Sequence, residues 1–263
     1  MERTEILKGF YGAVDEGARL SRSRQGQLEY RVTTHFLQKY LAPGCKVLET
    51  GAGTGRYSVA LAQAGFRVSA LELLDCNYEK LRRNAEGVPN LKTFKGDALD
   101  LSAFGEEEFD SVLLFGPMYH LYEASDREKA ITEALRVTKP GGYIFAAFLS
   151  AHAIICTNYL YKGHPATLGI KENFDENYNT RHFKEQLFTG YDVCEFEEFF
   201  AAKGLEHVTT AAVDSVLEIA ERRADFCMSD EDFEAFADYQ LHICEKREML
   251  GCSSHLLYIG RKE

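Results

Sequence analysis

Between Cys45 and Leu149, short apolar runs of strand length alternate with stretches of helical periodicity. Alternation of this kind predicts an α/β domain with a doubly wound, mostly parallel sheet, because parallel strands need crossover helices between them. The runs place strands near 46–50, 67–72, 92–95, 110–115 and 142–149, with helices at about 55–64, 76–86 and 126–138. Ser125-Asp126-Arg127-Glu128 reads as a capping box opening the last helix. That helix has Ile131, Ala134 and Leu135 on its apolar face and stops before Pro140-Gly141-Gly142. Residues 1–42 read as a mostly helical cap. Beyond residue 194 the core pattern resumes: a helix with Phe196, Phe199 and Phe200 in its stripe, stopped by Gly204, strands at about 205–212 and 255–261, and helices near 215–224 and 230–247. The chain therefore reads as one domain, 1–263, with a cap (1–42), a ligand-binding core (43–149), an insert (150–193) and the remainder of the core (194–263).

The insert has another texture. Tyr159, Tyr161, His164, Phe174, Tyr178, His182, Phe183, Phe188 and Tyr191 are interleaved with Asn173, Asn177 and Asn179, without clean periodicity. Aromatic side chains with polar tips suit a pocket wall, and an oligomer contact would also concentrate them. An insert after strand five lies beside the carboxyl ends of the strands, where open α/β sheets bind ligands. Position therefore favours a lid over the site.

Candidate chemistry centres on Val47-Leu48-Glu49-Thr50-Gly51-Ala52-Gly53-Thr54-Gly55-Arg56-Tyr57. Glycines at alternate positions let the backbone turn sharply and let a ligand lie directly on it, and the following helix offers unpaired N–H groups. No Lys-Ser or Lys-Thr follows, so the loop lacks a nucleoside triphosphate cradle. Arg56 stands where a dinucleotide loop wants a third small residue, and Glu49 would repel a pyrophosphate. A carboxylate there suits a positively charged ligand. Glu72 closes the second strand about 20 residues on, where an acidic residue grips two ribose hydroxyls.

With Gly96-Asp97-Ala98, Phe109-Asp110-Ser111-Val112-Leu113-Leu114-Phe115-Gly116-Pro117-Met118-Tyr119-His120 and Arg136-Val137-Thr138-Lys139-Pro140-Gly141-Gly142, this pattern resembles the class I S-adenosylmethionine-dependent methyltransferases over about residues 43–149. The flanks Asp15-Glu16, Arg19-Leu20 and Ser253-Ser254-His255-Leu256-Leu257 are more loosely similar to a bacterial small-molecule subgroup. The resemblance implies a Rossmann-like seven-stranded sheet completed by an antiparallel hairpin-like edge, with an inserted helical lid. It implies S-adenosyl-L-methionine as cofactor and S-adenosyl-L-homocysteine as product. Tyr11, Glu49, Thr50, Gly51, Gly53, Gly55, Tyr57, Glu72, Leu73, Asp97, Ala98, Phe115 and Gly116 would bind the cofactor, with Asp97 on the adenine amino group. Met118, Tyr119, Tyr159 and His164 would line the acceptor pocket. His120 would act either as general base or as an organiser of its loop, and Tyr11 would either close the site or, with Phe10, anchor its segment on the sheet edge.

Composition narrows the partners. A net charge of −11 disfavours a broad nucleic-acid footprint. The cluster Arg19, Arg22, Arg24 and Arg31 reads as a solvated helix face. The Asn-Pro-Pro-aromatic motif of amino-methylating nucleic-acid enzymes is absent. Seven cysteines without a C-x-x-C pair read as reduced thiols, with no metal site expected. The segment Tyr143 to Cys156 is too short for a spanning helix, and no targeting segment is visible. The expectation is a cytoplasmic enzyme, monomeric or homodimeric, acting on a small molecule. An RNA methyltransferase, a nicotinamide-dependent oxidoreductase and a non-catalytic cofactor sensor are the competing readings.

Overall fold

The computed structural model describes residues 3–14, 16–160, 170–184 and 186–263, without the side chains of 158–160. Among the described residues, three α-helices precede the sheet: α1 (Arg3–Tyr11), α2 (Arg19–Arg22) and α3 (Arg24–Tyr40). Then come β1 (Lys46–Thr50), α4 (Arg56–Gln63), β2 (Arg67–Glu72), α5 (Asp75–Asn84), β3 (Leu91–Lys95), β4 (Phe109–Leu114), α6 (Ala124–Val137) and β5 (Thr138–Ser150). The insert carries α7 (Ala151–Leu160), α8 (Ile170–Asn173) and β6 (Gly190–Tyr191). The chain closes with α9 (Val193–Ala201), β7 (Leu205–Ala212), α10 (Leu217–Glu221), α11 (Asp230–Ile243), α12 (Arg247–Leu250) and β8 (His255–Lys262).

The strand order is β3-β2-β1-β4-β5-β8-β7, with β6 paired to the end of β5. β1 to β5 run parallel, and β8 is antiparallel to both β5 and β7. Side chains alternate between two cores, as the two-residue period of a strand requires. Val47, Val68, Leu113, Phe145 and Ile259 face α3, α4 and α11, whereas Leu48, Leu71, Val112, Ile144 and Tyr258 face α6 and α9.

Chain order reverses between β1 and β4, and such a switch point opens a crevice at the strands' carboxyl ends. Here the two flanking loops touch. Gly51 has φ +67°, and a Cβ on Gly116 would lie 2.9 Å from the Gly51 carbonyl oxygen, so both positions must lack a side chain.

Three expectations are corrected. α6 begins at Ala124 with Glu123 as its N-cap and no side-chain cap, so Ser125 heads no capping box. The Arg127 guanidinium instead ties down the preceding loop through the carbonyls of Leu121 and Tyr122. β5 starts at Thr138 and takes Pro140-Gly141-Gly142 into an irregular stretch opposite Asp110. The antiparallel terminal pair is as expected, β7 lying against β8 with α10, α11 and α12 between them in the chain. The insert mixes helix with a two-residue strand, which makes the sheet eight-stranded.

Three of the four clustered arginines are paired rather than simply solvated, while Arg22 is exposed. Arg19 holds Glu29 through both terminal nitrogens at 2.6 and 2.9 Å, Arg24 pairs with Asp230, and Arg31 with Glu234. These contacts fasten α2 and α3 to each other and to the C-terminal helices. Gly26 permits the first, since a Cβ there would sit 2.3 Å from the Arg19 carbonyl oxygen. Gly26→Ala is expected to cost about 1–3 kcal/mol, the usual penalty for overpacking, visible as a lowered thermal midpoint. An unchanged midpoint would show that α2 is not fixed by this contact.

Candidate active site

One cavity of about 1050 Å³ runs over the carboxyl ends of the parallel strands. It takes its floor from the β1, β2 and β4 loops, one wall from α1 and the turn before α2, and the other from the insert and the start of β8. Its size suits two adjoining ligands rather than one.

At the β1–β3 end, Glu49 and Glu72 are buried and face the cavity. Burial raises the Glu49 carboxyl to about 7, although Ser58 donates a short hydrogen bond to it. Glu72 is raised by burial too, and its two oxygens accept from the backbone N–H groups of Leu74 and Gly53, each at 2.8 Å. It thereby fixes the glycine loop, while each oxygen keeps a lone pair for a ligand. Neither carboxylate has a cationic partner among the described residues, so this end is ready for a positively charged ligand or a diol. Asp97, at the end of β3, is ion-paired with Arg3 of α1 and accepts from Leu99 N–H at 3.1 Å. The glycine cradle, the two carboxylates and Asp97 fit S-adenosylmethionine.

At the other end, His120 is buried in the loop after β4. Its Nδ1–H donates to the Leu187 carbonyl at 2.8 Å, which leaves the Nε2 lone pair to accept from the Tyr11 hydroxyl at 2.9 Å. Burial depresses the imidazole to about 4, so it is neutral at physiological pH. The same burial raises the Tyr11 phenol. Phe188 packs on the His120 ring and Phe10 on Phe188, so α1 and the insert close over the pair together.

The cavity brings together Tyr11, Glu49, Gly51, Gly53, Tyr57, Glu72, Leu73, Asp97, Ala98, Phe115, Gly116, Tyr119 and His120. It does not include three others. Thr50 is buried and donates to the Leu113 carbonyl. Gly55, with φ +88°, packs against Leu81 as the N-cap of α4. Met118 points into the core beneath the loop, where its carbonyl accepts from the Tyr191 hydroxyl. Strand alternation and the turn geometry send these positions away from the crevice. Asp15, Tyr161 and His164 lie outside the described residues, as does the side chain of Tyr159. Arg56 covers the Tyr30 ring, 4.7 Å from its centroid.

Sequence reasoning gave no site role to Arg3, Glu16, Arg19, Leu187 and His255, all of which line the cavity. The flank motifs holding Glu16, Arg19 and His255 were the available signal. Asp214, Glu218 and His255 place ligand-type atoms within 4.8 Å of one another. Asp214 is spent on His255, Gln25 and Ser253, and Glu218 on Arg222 and Ser254. The two carboxylates of the cluster are therefore spent within a polar network.

A family profile described as a methyltransferase domain matches residues 47–142. The demethylmenaquinone methyltransferase of Corynebacterium urealyticum is 30% identical over 173 residues, which cover 64% of this chain and 70% of that protein. The chain belongs to the class I S-adenosylmethionine-dependent methyltransferases. The Renibacterium salmoninarum demethylmenaquinone methyltransferase is 35% identical over 129 residues, 47% of this chain and 52% of its own length. The chain thus spans about half the length of the curated relatives it matches first. Its fold is shared by the Burkholderia thailandensis 1,6-didemethyltoxoflavin-N1-methyltransferase, solved with 1,6-didemethyltoxoflavin and S-adenosylhomocysteine. That structure aligns with a TM-score of 0.60 at 14% identity, over 99% of this chain and 86% of that one. Family membership sets the nicotinamide reading aside. Among the described residues, no helix is long and apolar enough to cross a membrane.

Glu49 gives the site a pH signature. Cofactor affinity is expected to be highest where Glu49 is ionised, and to fall as pH drops below about 7, by at most tenfold per unit. Calorimetry with S-adenosylhomocysteine at pH 8 and pH 6 measures this. Glu49→Gln should flatten the profile, and an equally steep profile in that variant would reject the assignment.

Proposed function

We propose that the protein transfers the methyl group of S-adenosylmethionine to a small-molecule acceptor and releases S-adenosylhomocysteine. The observation that carries this reading is the continuity of the cavity, from two buried carboxylates without cationic partners to a desolvated Tyr11–His120 pair. Glu72 would hold the ribose hydroxyls, Asp97 would accept from the adenine amino group, and Glu49 would face the methionine ammonium. The described part of the insert contributes Asn173, Gln186, Leu187 and Phe188 to the acceptor wall, in keeping with a lid role for residues 150–193.

Methyl transfer needs an aligned nucleophile more than covalent help. S-adenosylmethionine would supply an activated methyl group, the acceptor's lone pair forming the bond to carbon as the carbon–sulfur bond broke and its electron pair returned to sulfur. As the acceptor gains positive character its proton becomes strongly acidic, so a base as weak as His120 is enough. The proton passes to the Tyr11 oxygen while the Tyr11 proton moves to His120 Nε2.

The net charge of −11 counts against an RNA acceptor. Seven free cysteines favour a reducing compartment such as the cytoplasm. The test of the cofactor is calorimetry with S-adenosylhomocysteine and with NADH. Binding of the first alone is the expected outcome, and binding of NADH alone would refute the reading.

A further inference from the structure

The family chemistry leaves unexplained the charged network where the turn before α2, α3 and the start of β8 meet the cavity. His255 donates from Nδ1 to the buried Asp214 at 2.7 Å, and Gln25 lies against the same pair. Burial pulls its imidazole down, but Glu29 and Asp214 push harder and hold it at about 9, so it is a cation at neutral pH. Its remaining donor, Nε2–H, has no partner among the described residues. Neither has the Tyr119 hydroxyl, on a side chain more than nine-tenths buried. The two rings meet edge to face with centroids 6.3 Å apart, both line the cavity, and the Tyr119 ring stands 6.3 Å from that of His120. Both residues also line a small separate cavity with Arg19 and Glu29, so the two unspent donors lie between that cavity and the acceptor end of the pocket.

We propose that Tyr119 and His255 form a two-donor clamp for an uncharged oxygen of the methyl acceptor, a ketone or ring carbonyl. The proposal rests on the methyltransferase reading. Charge decides against an anion. Arg19 and His255 are already faced by Glu16, Glu29 and Asp214, two cations against three carboxylates, so an added carboxylate would enter a negative surround. A neutral oxygen takes the charge-assisted bond from His255 without that cost. The cofactor's own carboxylate is distinguished by experiment: a clamp on that group would make Tyr119→Phe lower S-adenosylhomocysteine affinity.

The test titrates protein loaded with S-adenosylhomocysteine with 1-tetralone, with tetralin, which lacks only the carbonyl, and with 1-naphthoate. The clamp predicts at least tenfold tighter binding of tetralone than of tetralin, with naphthoate weaker than tetralone. The Nε2 resonance of His255 should move with tetralone alone. Tyr119→Phe, which keeps the ring, should cut the tetralone preference fivefold or more and leave S-adenosylhomocysteine affinity unchanged. Equal binding of tetralone and tetralin, no binding of either, or tightest binding of naphthoate would reject the clamp. So would a Tyr119→Phe variant that lost S-adenosylhomocysteine instead. Failure of the wild type to take up S-adenosylhomocysteine would sink the methyltransferase reading, and the tetralone–tetralin comparison on the protein alone would still decide the clamp.

Discussion

Glu72→Ala is expected to weaken S-adenosylhomocysteine binding by roughly 100-fold, about 3 kcal/mol, the scale of one to two lost hydrogen bonds to a charged group. Two effects combine. The variant removes the proposed partner of both ribose hydroxyls. It also frees Gly53 N–H and Leu74 N–H, which Glu72 now holds at 2.8 Å, so the glycine loop loses its anchor. Glu72→Gln should fall between wild type and alanine, because an amide offers one accepting oxygen where the carboxylate offers two. Calorimetry reads both variants directly. Wild-type affinity in the alanine variant would remove Glu72 from the cofactor site.

His120→Gln is expected to lower turnover by about 100-fold while S-adenosylhomocysteine affinity changes little, the usual range for losing a positioned acid–base group. The imidazole touches Tyr11 and the Leu187 carbonyl rather than the cofactor cradle, which is why the two effects separate. The pH profile carries a second signature. An exposed histidine would switch off turnover as pH falls through about 6.5. His120 is held at about 4 by burial, so turnover at saturating cofactor should stay flat across pH 5 to 7 and fail only as His120 protonates. Turnover that halves near pH 6.5 and is indifferent to His120→Gln would place the base elsewhere. Parallel losses of turnover and cofactor affinity would make His120 a support of its loop.

The parallel core was legible because β1, β2, β4 and β5 are buried on both faces and read as near-continuous apolar runs. Its glycine loop was legible because backbone geometry allows few residues at Gly51 and Gly116. What escaped was long-range. Nothing local in Arg19, Arg24 or Arg31 signals partners at Glu29, Asp230 and Glu234, the last two about 200 positions away. β6 has two residues and so no period to detect. Thr50, Gly55 and Met118 sit inside motifs whose neighbours line the cavity, and a motif does not say which of its side chains turn inward. His255 illustrates the reverse case. Its motif stood out in the sequence, but only folding carries it to Asp214 and the pocket.

Methyl transfer to a small molecule is tested most directly by incubating the purified protein with S-adenosylmethionine labelled in the methyl group and with two fractions of a cell extract, low-mass metabolites and total RNA. Label is expected in one or a few low-mass products and is lost in Glu72→Ala. Stoichiometric label in RNA, or none in either fraction from protein that binds S-adenosylhomocysteine tightly, would contradict it.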